Sequence, residues 1–121
     1  MGTQLLTLDD DPDVTLLFLA QVQQARPGKY QAYTAYSPQE FRKLAIAHKQ
    51  EVDTVILGAA QTNEQAQAAK EVITQVWGNS KVHVLKIPAS LLTTEGTKGG
   101  GMMRWFLEHM EGAIEGECGC C

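Results

Sequence analysis

The sequence predicts an α/β domain: a parallel sheet of four or five strands with helices on both faces, in three layers. Three observations carry this. Short apolar runs alternate with helix-period segments along most of the chain, which favours parallel strands joined by helical crossovers. Two helices open on specific start signals, Asp11-Pro12 and Ser37-Pro38-Gln39-Glu40. The most apolar run, Val52–Ala59, is continuous, as in strands covered on both faces.

The elements follow in order. Gln4–Leu8 is a short apolar strand ended by acids. Asp11 caps a helix with Pro12 in its first turn, running to about Gln24 with Val14, Leu17 and Val22 inward. Arg26-Pro27-Gly28 breaks it. Tyr30–Thr34 alternates like a strand. The helix after Ser37 carries Phe41, Leu44 and Ala45 on one side. Val52–Ala59 is the third strand. Thr62 or Asn63 begins a third helix, with Ala66, Ala69, Val72, Ile73 and Val76 at helical spacing, and Gly78 ends it. Lys81–Ile87 is a fourth strand. Pro88–Gly101 reads as a long loop, flexible at Lys98-Gly99-Gly100-Gly101. Met102–Ile114 resumes as an amphipathic helix with Met102, Met103, Phe106, Leu107, Met110 and Ile114 on one stripe. The expected organisation is one α/β domain over 1–114 and a flexible Cys-rich tail over 115–121.

Composition narrows the function classes. The 121 residues are 44% hydrophobic and 20% charged, with a net charge of −4. That length suits one domain with a core of its own. The mild acidity argues against nucleic acid and anionic membranes, which need clustered Lys and Arg. No apolar run reaches the roughly 20 residues that span a bilayer. Leu5-Leu6 meets Asp9-Asp10-Asp11 with no basic leader, so the expected location is the cytoplasm. All three cysteines, Cys118, Cys120 and Cys121, fall in the last four residues, so none staples the body.

In open parallel sheets, ligands bind outside the carboxyl ends of the strands. That edge carries Asp9-Asp10-Asp11, Thr34–Tyr36, Gly58–Asn63 and Lys86–Ser90. Carboxylates crowded on one turn either hold a hard cation such as Mg²⁺, weakly at Asp9 and Asp10, or serve as a helix cap and solvated charges.

Leu5-Leu6-Thr7-Leu8-Asp9-Asp10-Asp11-Pro12-Asp13-Val14 resembles the opening of a response-regulator receiver domain, the phosphorylatable module of two-component signalling. Tyr33–Glu40 is similar to that family's second strand and turn, and Val52-Asp53-Thr54-Val55-Ile56-Leu57-Gly58 stands where its phosphoacceptor strand belongs. The resemblance covers residues 4–77 and implies a flavodoxin-like three-layer sandwich of bacterial, two-component type. The departure is Gly58, which falls on the phosphoacceptor position and has no carboxylate. Asp53 opens the same strand at the opposite end of the sheet. Lys86 matches either the family's Lys or its Ser/Thr position, and the fifth strand is lost or remodelled into Ala89–Gly101. The resemblance implies a pseudo-receiver, not an enzyme, with Asp9, Asp10, Gly58 and Lys86 as a degenerate phosphorylation pocket. Such a module acts by protein–protein interaction. Met102, Arg104 and Trp105 are the candidate partner-binding residues, since Met and Trp are common at adaptable interfaces.

Other readings remain open. The Cys118-Gly119-Cys120-Cys121 tail would suit Zn²⁺ or Cu⁺ through soft thiolates, or a redox-linked homodimer through exposed thiols, or no role at all. A small anionic ligand sensed at the strand ends is a further alternative. The Asp-x-Asp spacing of haloacid-dehalogenase-like phosphatases is present, but no later acidic pair ends a strand.

Overall fold

The computed structural model describes residues 2–78 and 82–112. Strands β1 (Thr3–Leu8), β2 (Tyr30–Ala35), β3 (Thr54–Leu57) and β4 (His83–Lys86) form one parallel sheet in the order β2-β1-β3-β4. These are the first four positions of the flavodoxin-like order, so the α/β three-layer expectation holds. Helices α1 (Pro12–Ala25), α2 (Pro38–Ala47) and α3 (Asn63–Trp77) join the strands. Beyond β4 come a 3₁₀ turn at Ala89–Leu91, a helical turn α4 (Thr94–Thr97), helix α5 (Gly101–Leu107) and wider π-helical turns over Glu108–Gly112. Among the described residues no fifth strand pairs with β4.

The two-residue period of β1 divides its side chains between two cores. Leu6 and Leu8 meet Phe41 and Ala45 of α2 and Ala69, Ile73 and Trp77 of α3. Leu5 faces the other way, toward Phe18 and Val22 of α1 and Met102 and Phe106 of α5. Each fully buried Leu or Phe contributes about 1.5–3 kcal/mol by leaving water. In the second core the Phe106 ring stands edge-on to Tyr30 at 5.0 Å and to Phe18 at 5.5 Å between centroids.

The helix starts form as their residues require. The Asp11 carboxylate accepts from the N–H groups of Asp13 and Val14 at 3.0 and 3.2 Å. Ser37 caps α2, and Glu40 reaches back to the N–H of Tyr36 at 2.8 Å. Thr62, not Asn63, is the cap of α3, in a reciprocal box with Gln65. Gly78 ends that helix with a positive φ of 59°.

Four expectations need correction. α1 buries Thr15, Phe18 and Val22, a phase that leaves Leu17 only half-buried. β3 covers only Thr54–Leu57 of the apolar run, because Gly58 and Ala59 already belong to the turn toward α3. Pro88–Gly101 is not one long loop, since it holds the 3₁₀ turn and α4. Gly96 lies against the Leu91 carbonyl with no room for a side chain, and a Cβ on Gly101 would lie 2.8 Å from Gly96 Cα. These glycines let α4 and α5 meet backbone to backbone, and Gln21 on α1 holds the corner through the Thr97 carbonyl at 2.9 Å. The final amphipathic helix is α-helical only to Leu107. Its expected end at Ile114, and the tail, lie outside the described residues.

Candidate functional site

The carboxyl ends of β1 and β3 adjoin where the strand order reverses, since α1 leaves β1 for one face and α3 leaves β3 for the other. This is the crevice where parallel α/β folds take ligands. The ladder runs past the assigned strands, with the Gly58 N–H donating to the Leu8 carbonyl at 2.8 Å and the Asp9 N–H to the Ala35 carbonyl at 3.2 Å. Asp9 and Gly58 are thereby fixed side by side.

Asp9 is only 4% exposed. Its Oδ1 accepts from the Asp10 N–H at 2.7 Å. Its Oδ2 lies directly over Gly58, in the space that a side chain on Gly58 would need. Burial pushes the Asp9 carboxyl above the usual carboxylate range, against the lowering effect of backbone hydrogen bonds from Asp10 and Asp11. Among the described residues no cation pairs with it. Lys86 ends β4 opposite Leu57, and its ammonium donates to the Ile87 carbonyl at 2.8 Å. Burial lowers the Lys86 amine, with the charge of Asp9 acting in the opposite sense. β4 follows α3 and pairs with β3, so Lys86 stands at the end of the fourth strand.

Asp10 faces the α3 side. Gln61 Nε2 donates to its Oδ1 at 3.1 Å and Gln65 Nε2 to its Oδ2 at 3.0 Å. Asp11 is spent on the α1 cap. The acidic triplet thus serves three separate partners. Among the described residues no three His, Cys, Asp or Glu side chains come together as a metal site. Asp53 stands at the far edge of the sheet, its carboxylate accepting from the Gln4 N–H at 3.2 Å.

Beside Asp10 a cavity of about 260 Å³ opens between α2 and α3. Leu8, Phe41, Gln61, Ala69 and Val72 form its walls, and Asp10, Glu64 and Gln65 its polar rim. The sequence reading missed this groove, together with the role of Gln61 and Gln65. Thr62-x-x-Gln65 is legible as a capping box, yet the second bond of Gln65, to Asp10, depends on two loops meeting in space.

The partner-binding candidates separate. Met102 is 1% exposed and belongs to the chain's own core, because it occupies the inward phase of α5. It offers no surface to a partner. Arg104 is exposed, and its guanidinium donates to the Gly99 carbonyl at 2.9 Å. Trp105 is half-buried and packs against His109 with ring centroids 4.0 Å apart and a tilt of 32°. Cys118, Cys120 and Cys121, the candidate Zn²⁺ or Cu⁺ ligands, lie outside the described residues.

A second polar cluster sits at the opposite edge. The Glu111 carboxylate accepts from Arg26 Nε at 2.9 Å, from the Lys29 ammonium at 2.9 Å and from the Tyr30 hydroxyl. Burial alone would raise Glu111, but these hydrogen bonds outweigh it and hold the carboxyl at about 2. Tyr30 is pushed up by burial and by the same carboxylate. Nothing in the charge pattern marks this cluster, since residues 26–30 and 111 meet only when α5 folds back on α1.

The fold and site define a class: a parallel α/β sandwich of flavodoxin-like order, four strands wide, with a buried acid closing its switch-point crevice. Comparison with family models, with curated proteins and with solved structures gave no match to this chain. Among the described residues no helix is long and apolar enough to cross a membrane.

Proposed function

We propose that this chain is a cytoplasmic, receiver-like regulatory module that works by protein–protein contact and not by phosphotransfer. The observation that supports it best is the Asp9 carboxyl seated over Gly58. Phosphoryl transfer to a receiver needs a carboxylate nucleophile at that point. Here the position lacks one, and its space is taken. The remaining elements of such a site are dispersed, Asp10 onto two glutamines and Lys86 onto a backbone carbonyl. For contact with a partner, Arg104 and Trp105 on α5 provide a guanidinium and a half-open indole, residue types enriched at interfaces.

Treatment with Mg²⁺ and acetyl phosphate, followed by intact-mass measurement, is expected to leave the mass unchanged. Titration with beryllofluoride and Mg²⁺ is expected to leave the amide resonances of Gly58 and Lys86 in place. A phosphoryl adduct, or saturable shifts at those two residues, would overturn the reading.

A further inference from the structure

We infer that the groove between α2 and α3 binds a small amphiphilic amine, its apolar body among Leu8, Phe41, Ala69 and Val72 and its ammonium at Asp10 and Glu64. This site is separate from the docking role proposed above and does not depend on it. The cavity holds about 260 Å³, enough for a single aromatic ring with a short chain. Its walls are mainly aliphatic and aromatic, which favours an apolar body. Its rim carries two carboxylates, and none of its lining residues is Lys, Arg or His. Charge complementarity therefore selects a cation and rejects an anion.

The two helix N-termini near the groove contribute about half a positive charge each. Some of their amides are engaged locally: Ser37 Oγ accepts from the Glu40 N–H, Thr62 Oγ1 from the Gln65 N–H, and Pro38 has no N–H. The two full carboxylates outweigh what remains. Asp10 already accepts one bond on each oxygen from Gln61 and Gln65. A carboxylate has about four acceptor sites, so an ammonium can still bind there. The two amides also hold the Asp10 side chain in place before any ligand arrives, which lowers the ordering cost of binding. Gln61, at 5% exposed, is itself fixed in the wall.

The test uses three probes of one shape: 3-phenylpropylamine, 3-phenylpropanol and 3-phenylpropionate, titrated into the full chain by ¹H–¹⁵N correlation spectroscopy. The amine is expected to give saturable shifts centred on Leu8, Phe41 and Ala69. The alcohol should bind about tenfold more weakly, and the carboxylate more weakly still. The double variant Asp10→Asn, Glu64→Gln should reduce amine affinity toward that of the alcohol. Ala68→Phe, an exposed position on the groove's edge, should abolish binding while the rest of the spectrum is kept. Absence of saturation with every probe overturns the inference. So do shifts centred elsewhere, equal binding of the carboxylate, or an unchanged affinity in the double variant.

Discussion

A methyl group placed on Gly58 would overlap the carboxyl group of Asp9. Gly58 is therefore set by packing: as long as Asp9 is turned inward, only glycine fits. Gly58→Ala is expected to lower stability by about 1–3 kcal/mol through overpacking, measured by urea denaturation. Coupled with Asp9→Gly, which removes the three atoms nearest the new Cβ, the loss should be smaller than the sum of the two single changes. Strict additivity would show that the two residues do not compete for one space. The sequence marks both residues as unusual, an acid ending one apolar run and a glycine ending another. It does not reveal that one fills the other's space, because that depends on β1 and β3 being neighbours. The same holds for Gln61 and Gln65, whose amides look like ordinary loop and helix polarity until Asp10 is brought opposite them.

The chain's last described element is the one least legible from its pattern. The apolar stripe of 102–110 is visible, and Met102 and Phe106 do face the sheet. The glycines before it read as slack, whereas they are the contact surface between α4 and α5. Close backbone approach and flexibility both call for glycine, and only the tertiary contact tells them apart. Past Leu107 the π-helical turns carry Glu111 back to Arg26, Lys29 and Tyr30. Arg26 and Lys29 are partly exposed, at 38% and 49%, so their ion pairs are discounted for solvent screening. Glu111→Gln is expected to cost about 1–2 kcal/mol at neutral pH. Glu111 is depressed in the folded state, from 4.5 to about 2. Its contribution is then complete above pH 4.5 and is lost as pH falls toward 2. Thermal melts of the two proteins should differ at neutral pH and converge across that window. A gap that persists at low pH would assign the loss to packing and not to the carboxylate.

Across the molecule, two cores lie on the two faces of one sheet, and each needs helices from distant parts of the chain. α2 and α3 cover one face, α1 and α5 the other. Phe106 joins α1, β2 and α5 through its edge-on contacts with Phe18 and Tyr30. Phe106→Ala is expected to cost about 3–5 kcal/mol, read by chemical denaturation, with loss of the Tyr30 and Phe18 aromatic shifts. A cost near 1 kcal/mol would mean that α5 is peripheral to folding. Among the described residues β4 has a neighbour on one side only, and Val84 is left 36% exposed at the sheet's edge. The fold class, the first three helices and the caps of the first two are legible in the sequence, because hydrophobic period and capping chemistry are local. The sequence also determined that no carboxylate stands at Gly58. The tertiary structure alone decided that Asp9 occupies that space and that Asp10 turns to the glutamines. It also decided that Met102 is core, that the glycine corner is packed and that an acid-rimmed groove opens between α2 and α3. Each of these depends on which distant segments the sheet order makes neighbours, a property that no window of residues contains.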